Sequence, residues 1–308
     1  MENLPTKFLN NTHEIYGEKG REWLDHLPEL LASYEERWSI RVLPPFADLS
    51  YNYVAPVIRA DGSPAVLKIW IPNAETRSEM AALRHFNGGG INRLLEAEPD
   101  QGAMLLERLI PGVSLATLED DEAATRISAE VMRELWIPAP ADPEGVFPST
   151  EKWSRGLQRL RQTFDGGTGP FPTRLIEQAE RTFADLEASA TTRVLLHGDL
   201  HHWNILSAQR RPWLALDPKG VTGEPAYEVA QMLLNRLDEG NGKAGLQRQA
   251  DRRLAVFEEM LGFDRQRMLG WTFAKAVLSA WWTYEDNHRV DHEMIHFSTA
   301  LSEMIDHA

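Results

Sequence analysis

The sequence contains no cysteine, which excludes a disulfide framework, thiolate zinc sites and a cysteine nucleophile. It has no run of the roughly 18 apolar residues needed to span a membrane, and its opening, "MENLPTKFLNNTHEIYGEKG", lacks an apolar signal core. A cytoplasmic protein with no membrane partner is therefore expected. Positive charge is scarce, with 32 Lys and Arg against 46 Asp and Glu and a net charge of −14. Binding to a phosphate backbone relies on clustered cations, so a nucleic-acid partner is disfavoured. A cationic small molecule is permitted, because acidic clefts concentrate cations. Internal repeats and low-complexity linkers are also lacking. The 308 residues, 43% of them hydrophobic, suffice for one large domain or two lobes.

What is present changes character along the chain. From Glu22 to Trp38, the residues Trp23, Leu27, Leu30, Leu31 and Tyr34 recur at helical spacing, and Pro28 is expected to break or start that helix. "YNYVAPVIRADGSPAVLKIWI" reads as two strands joined by a turn at residues 60–63. "NAETRSEMAALRHFNGGG" reads as a helix that Asn73 caps and Gly88 ends. "GAMLLERLIPG" reads as a strand running into a turn at Pro111-Gly112, the expected lobe boundary. The remainder patterns as helices around one β-like island, Arg193 to Asp217. The expected fold class is α+β, with a small β-rich lobe over residues 1–110 and a larger, mainly helical lobe over 111–308.

Within the island, "HGDLHHWNIL" packs three histidines, an aspartate and an asparagine into ten residues. A zinc site is one reading, since imidazole and carboxylate are suitable ligands. A turn through "DLHHW" would scatter them, however, and no HExxH helix completes a hydrolase site. A polar turn after a buried strand is the bland reading. The third reading uses the flanks. Val194, Leu195 and Leu196 form a buried strand, and Asp199 opens a loop that Asn204 closes. Ile205 and Leu206 start another strand, and "WLAL" returns the chain to Asp217. Asp199, Asn204 and Asp217 would then share one end of a small sheet. Two hard oxygen ligands plus phosphate oxygens suit magnesium, and a third carboxylate is left to orient an attacking hydroxyl. That is the equipment of phosphoryl transfer.

"HGDLHHWNIL" followed by "LALDPKG" resembles the catalytic and metal-binding segments of the aminoglycoside phosphotransferases. With "AVLKI", "LLERLIPG" and "GEPAYEVA", the resemblance is closest to the streptomycin 6-kinase and hydroxyurea kinase branch, over Ala65 to Ala230. It implies a two-lobed, protein-kinase-like fold, ATP or GTP with magnesium (Mg2+), and a small-molecule hydroxyl acceptor. It further implies Asp199 as catalytic base and Asn204 and Asp217 as metal ligands. A kinase of another hydroxylated metabolite, and a non-catalytic kinase-like binding module, are the alternatives.

Such a kinase needs a cation on the nucleotide phosphates. Lys68 lies mid-strand in "AVLKI", and a lysine there wants a partner unless it faces solvent. Glu79 sits eleven residues on, with Leu83 and Phe86 following at i+4 and i+7, and Glu75 shares its helix face. Adenine is expected to pair with the backbone around Glu107 and Leu109. The phosphate-covering segment, residues 44–53, has no glycine, which leaves Ser50 to offer a hydroxyl and an amide. Lys219 could neutralise phosphate charge or be a turn residue, while Glu228 and His197 are expected to brace the catalytic loop. In "SAWWTYEDN", Trp282, Glu285 and Asp286 are candidates for a wall against a polar, cationic acceptor, although tryptophans in a long helix more often pack the core.

Overall fold

The computed structural model describes residues 4–142 and 144–307. The chain divides into two compact units, the first ending at Gly112 and the second beginning at Val113.

The first unit is built on helix α1 (Thr6–Arg37) and a five-stranded antiparallel sheet: β1 (Ile40–Val42), β2 (Tyr53–Arg59), β3 (Pro64–Ile69), β4 (Leu94–Glu98) and β5 (Ala103–Glu107), in the order β1-β2-β3-β5-β4. Helix α2 (Ala74–Phe86) lies between β3 and β4 in sequence. The period of two in β2 and β3 sends Val57, Ala65, Leu67 and Ile69 to one face, where they pack with Tyr34 of α1 and with Ala103 and Leu105 of β5. Lys68 falls on the opposite face, as the alternation requires. The helix expected from Glu22 starts earlier, at Thr6, and Pro28 lies inside it rather than at an end. The interruption falls instead at Gly17, at φ 58° and ψ −131°, a conformation that costs glycine little. Asn73 caps α2 as expected and forms a reciprocal capping box with Thr76. The helix ends one residue before the expected Gly88, at Asn87, whose left-handed conformation asparagine tolerates.

The second unit carries two small sheets among helices. One has the order β10-β9-β6, from β6 (Pro111–Ser114), β9 (Ile205–Ala208) and β10 (Trp213–Ala215). The other is β11-β8-β7, from β7 (Ile137–Pro138), β8 (Val194–Leu196) and β11 (Val221–Gly223). The single island expected from the sequence is thus two sheets, the first completed by β6 and the second by β7 and β11, all from outside 193–217. Strands of two to four residues carry too little periodicity to be recognised alone. The helices are α3 (Asp121–Leu135), α4 (Thr150–Ser154), α5 (Gly156–Thr163), α6 (Thr173–Ser189), α7 (Pro225–Leu233), α8 (Gly242–Leu261), α9 (Arg265–Asn287) and α10 (His292–Asp306). Helix α9 is central, packing on α5, α6, α7, α8 and α10, and is buried almost all round from Met268 to Leu278. Among the described residues, no helix is long and apolar enough to cross a membrane.

Candidate active site

The loop after β8 is fixed from its backbone outward. Val194, Leu195 and Leu196 are buried and pair with β11, which delivers the chain to His197 inside the unit. Gly198 then turns at φ 85°, and a Cβ there would lie 2.7 Å from Cγ2 of Val221 and 3.2 Å from Cη2 of Trp153. Only glycine fits that turn. The fully buried His197 ring donates from Nε2 to the Leu216 carbonyl at 2.8 Å, while Nδ1 accepts from the Asp199 amide at 3.2 Å. Burial holds its pKa down at about 3, so the ring stays neutral in the one tautomer that satisfies both contacts. Both nitrogens are thereby engaged, which removes His197 from the zinc reading. Among the described residues, no group of three or more His, Cys, Asp or Glu is arranged to hold a metal ion.

Glu228, in the first turn of α7, is the second anchor. Its two carboxylate oxygens accept the backbone N–H groups of His197 at 2.6 Å and Gly198 at 2.9 Å. The His197 carbonyl accepts in turn from the Lys219 and Gly220 amides, tying the segment after β10 to the loop. Asn204 closes the loop by donating Nδ2 to the Asp199 carbonyl at 3.0 Å, and its own carbonyl accepts from the Leu216 amide.

Asp199 is half-buried in this frame. Gln231, one turn beyond Glu228 on α7, donates Nε2 to its Oδ1 at 2.9 Å, and His201 Nε2 lies 4.0 Å from its Oδ2. Burial pushes the carboxyl pKa up. The nearby charges of His201, Lys219 and Lys275 pull it down, and that of Asp217 pushes it up again. Asp199, Asp217 and Lys219 are therefore electrostatic neighbours. The donor set suits a hard cation. With the Asn204 amide nitrogen committed to the Asp199 carbonyl, its Oδ1 is turned the other way, and Asp217 adds a carboxylate from a left-handed backbone position at φ 63°.

In the first unit, Lys68 Nζ lies 2.7 Å from Oε1 of Glu79, both buried, and 5.4 Å from the centroid of the Trp70 ring. Glu75 is exposed in the first turn of α2, so Glu79 is the buried carboxylate of the two. The Ser50 carbonyl accepts from Asn11, and the Glu107 carboxylate accepts the Arg93 amide at 3.0 Å, beside half-buried Leu109.

Of the acceptor candidates, half-buried Trp282 is tied to the loop by an edge-on contact to Trp153, with centroids 5.5 Å apart and planes at 85°. Glu285 is instead held by the guanidinium of Arg159 in a two-bond pair at 2.6 and 2.8 Å, and Asp286 is exposed. Three residues escaped sequence reasoning. Gln231 left a faint signal, lying three residues after Glu228 on one helix face. Lys275 left a plainer one, as the single charge in the apolar run "WTFAKAVLSAWW". Trp153 sits in a five-residue helix and left none.

Residues 37–287 match the family model described as aminoglycoside/hydroxyurea antibiotic resistance kinase. The chain is 35% identical to a streptomycin 6-kinase of Streptomyces glaucescens over 283 residues, covering 92% of this chain and 91% of that protein. It is 34% identical to a hydroxyurea phosphotransferase of Kitasatospora aureofaciens over 290 residues, or 92% and 81% of the two chains. Among solved structures, a choline kinase from Cryptosporidium parvum shares the fold, with a TM-score of 0.61 at 12% identity, covering 91% of this chain and 97% of that one.

Proposed function

The chain belongs to the aminoglycoside/hydroxyurea antibiotic resistance kinase family, and from that membership we propose that it transfers the γ-phosphoryl group of ATP, with magnesium, to a hydroxyl of a streptomycin-type or hydroxyurea-type acceptor in the cytoplasm. The observation that carries the reading is the state of Asp199. One carboxylate oxygen is occupied by Gln231 and the other is left to take a proton, on a backbone that His197 and Glu228 hold still.

In this reading Asp199 accepts the acceptor's hydroxyl proton as the new O–P bond forms and the nucleotide's bridging O–P bond breaks. Asn204 and Asp217 would hold magnesium, which supplies charge neutralisation on the phosphates when bound. The ammonium of Lys68, oriented by Glu79, takes up phosphate charge, and Lys219 adds to it. Ser50 and the backbone at Glu107 and Leu109 are assigned to the nucleotide, and Trp282, with Glu285 and Asp286, to the acceptor. Of these last three, Trp282 is supported best, through its contact with Trp153. A net charge of −14 permits a cationic acceptor.

The test is phosphate transfer from magnesium-ATP, read by mass spectrometry across streptomycin, other aminoglycosides, hydroxyurea, choline and common hydroxylated metabolites. A product one phosphate heavier, absent with Asp199→Asn, is expected from the streptomycin or hydroxyurea class. Transfer only to a metabolite would overturn the acceptor assignment, and undiminished transfer by Asp199→Asn would overturn the assigned base.

A further inference from the structure

Lys275 is a buried cation that the reaction as described above does not use. It lies mid-way along α9, 2% exposed, with Phe273, Ala274, Ala276 and Val277 around it in sequence. An ammonium in such surroundings is strongly disfavoured unless its donors are satisfied. Its nitrogen is 3.3 Å from the Gly198 carbonyl and 4.9 Å from the centroid of the Tyr227 ring. The carbonyl is the informative partner, because it belongs to the peptide that leads into Asp199. On the other side of the same residue, Glu228 accepts the amides of His197 and Gly198. Two buried charges of opposite sign thus grip successive peptide groups of one three-residue segment, one by its N–H groups and the other by its C=O. None of the three peptide groups can rotate without breaking a charge-assisted hydrogen bond.

A role confined to neutralising Glu228 would be met by an ion pair between the two side chains. Among the described residues, however, the Lys275 nitrogen donates to the Gly198 carbonyl and to no carboxylate. We propose that Lys275 is a positioning residue for phosphoryl transfer, holding the Gly198–Asp199 peptide from the side opposite Glu228 so that the Asp199 carboxylate keeps its reactive orientation. This rests on Asp199 being the base. The charge of Lys275 also acts on Asp199 directly, opposing with Lys219 the effect of burial there. The ammonium itself is drawn down to about 8 by burial, against the pull of Glu228 and Asp199.

The experiment compares the full-length wild type with Lys275→Met, Lys275→Arg and Asp199→Asn, using magnesium-ATP with streptomycin and with hydroxyurea, alongside backbone hydrogen exchange. Methionine matches the lysine stem in length and removes the donor. The expected result for Lys275→Met is a kcat lower by about 10- to 100-fold with both KM values and the melting temperature little changed. Exchange over residues 197–200 is expected to quicken by about tenfold or more while α9 stays protected. Lys275→Arg, which keeps the cation and the donor, is expected to fall between. Wild-type kcat in Lys275→Met, with Asp199→Asn inactive, would overturn the proposal. So would a parallel loss of kcat, nucleotide binding and melting temperature, which marks a purely structural lysine. Should Lys275→Met not fold, the same criteria apply to Lys275→Gln, which removes the cation and keeps a polar side chain. Full activity in Asp199→Asn would instead overturn the assigned base, and should neither acceptor be phosphorylated, unchanged exchange at 197–200 would by itself refute the clamp.

Discussion

Gln231 donates its side-chain amide to Oδ1 of Asp199 across 2.9 Å, from the same helix face that sends Glu228 to the backbone of the Asp199 loop. One short helix therefore orients both the carboxylate and the chain that carries it. Its start is set by Pro225 at the first helical position, where a missing N–H costs nothing.

Gln231→Leu removes the carboxylate contact and leaves the backbone anchors in place. A hydrogen bond to a charged group contributes about 1.5–3 kcal/mol, so kcat is expected to drop by roughly 10- to 100-fold. KM for both substrates and the melting temperature should change little. Steady-state kinetics at saturating ATP checks this, and an unaltered kcat would show that Asp199 orients itself without Gln231.

The Lys68–Glu79 pair is almost fully withdrawn from water, with side-chain exposures of 7% and 10%. Removing one partner strands a buried charge, and Glu79→Ala is expected to lose about 3–5 kcal/mol of stability. Replacing both residues with methionine should recover most of that loss. If Lys68 takes up phosphate charge as proposed, ADP is expected to raise the melting temperature of the wild type but of neither variant, because both lack an oriented ammonium. An ADP shift preserved in the double variant would dissociate Lys68 from the nucleotide.

How legible this site was depended on the kind of signal each residue left. "HGDLHHWNIL" and "LALDPKG" were readable because Asp199, Asn204 and Asp217 are chemically distinctive and bounded by short apolar strands. Glu79 was readable because a carboxylate on an apolar helix face demands a partner. Gln231 and Trp153 were not, since a glutamine on a helix and a tryptophan in a single helical turn are compatible with many environments. The two small sheets were illegible for a related reason. β6 and β7 pair with strands far away in sequence, and two to four residues cannot reveal their partners. Glu285 carries a different lesson: its chemistry suited a cationic acceptor, and its partner Arg159, 126 residues earlier, left no local signal that would reveal the pairing.

Asp217 lies at φ 63°, a conformation that asparagine also tolerates, so Asp217→Asn tests charge without disturbing the backbone. Losing the carboxylate charge weakens a hard-oxygen site for magnesium. The variant is expected to fold normally and to need about tenfold or more magnesium for half-maximal activity, with a lower plateau. A magnesium titration at fixed ATP reads this directly. An unchanged magnesium dependence would remove Asp217 from the metal site.

Stability toward acid should depend on His202 in a direction the environment dictates. This ring is fully buried within the loop that runs from Asp199 to Asn204, and among the described residues neither of its nitrogens has a hydrogen-bond partner. Burial, then the charges of Arg253 and Arg236, hold its pKa down at about 3, against an ordinary value of 6.5. The unfolded chain therefore binds a proton between pH 6.5 and 3 that the native state refuses. The stabilisation is complete above pH 6.5 and is lost as pH falls toward 3, by up to about 1.4 kcal/mol per pH unit. His197, also held at about 3, adds a slope of the same sign. Glu228, which burial pushes up to about 7 from 4.5, works the other way between those values and cancels part of it. His202→Phe keeps an aromatic ring against Trp203, whose centroid lies 6.4 Å away, and removes the titration. Urea unfolding at pH 7, 6 and 5 is expected to give the variant a flatter loss of stability than the wild type. The gap should approach about 1.4 kcal/mol per pH unit once the unfolded histidine is protonated. Parallel curves would mean that His202 takes up its proton without unfolding the loop.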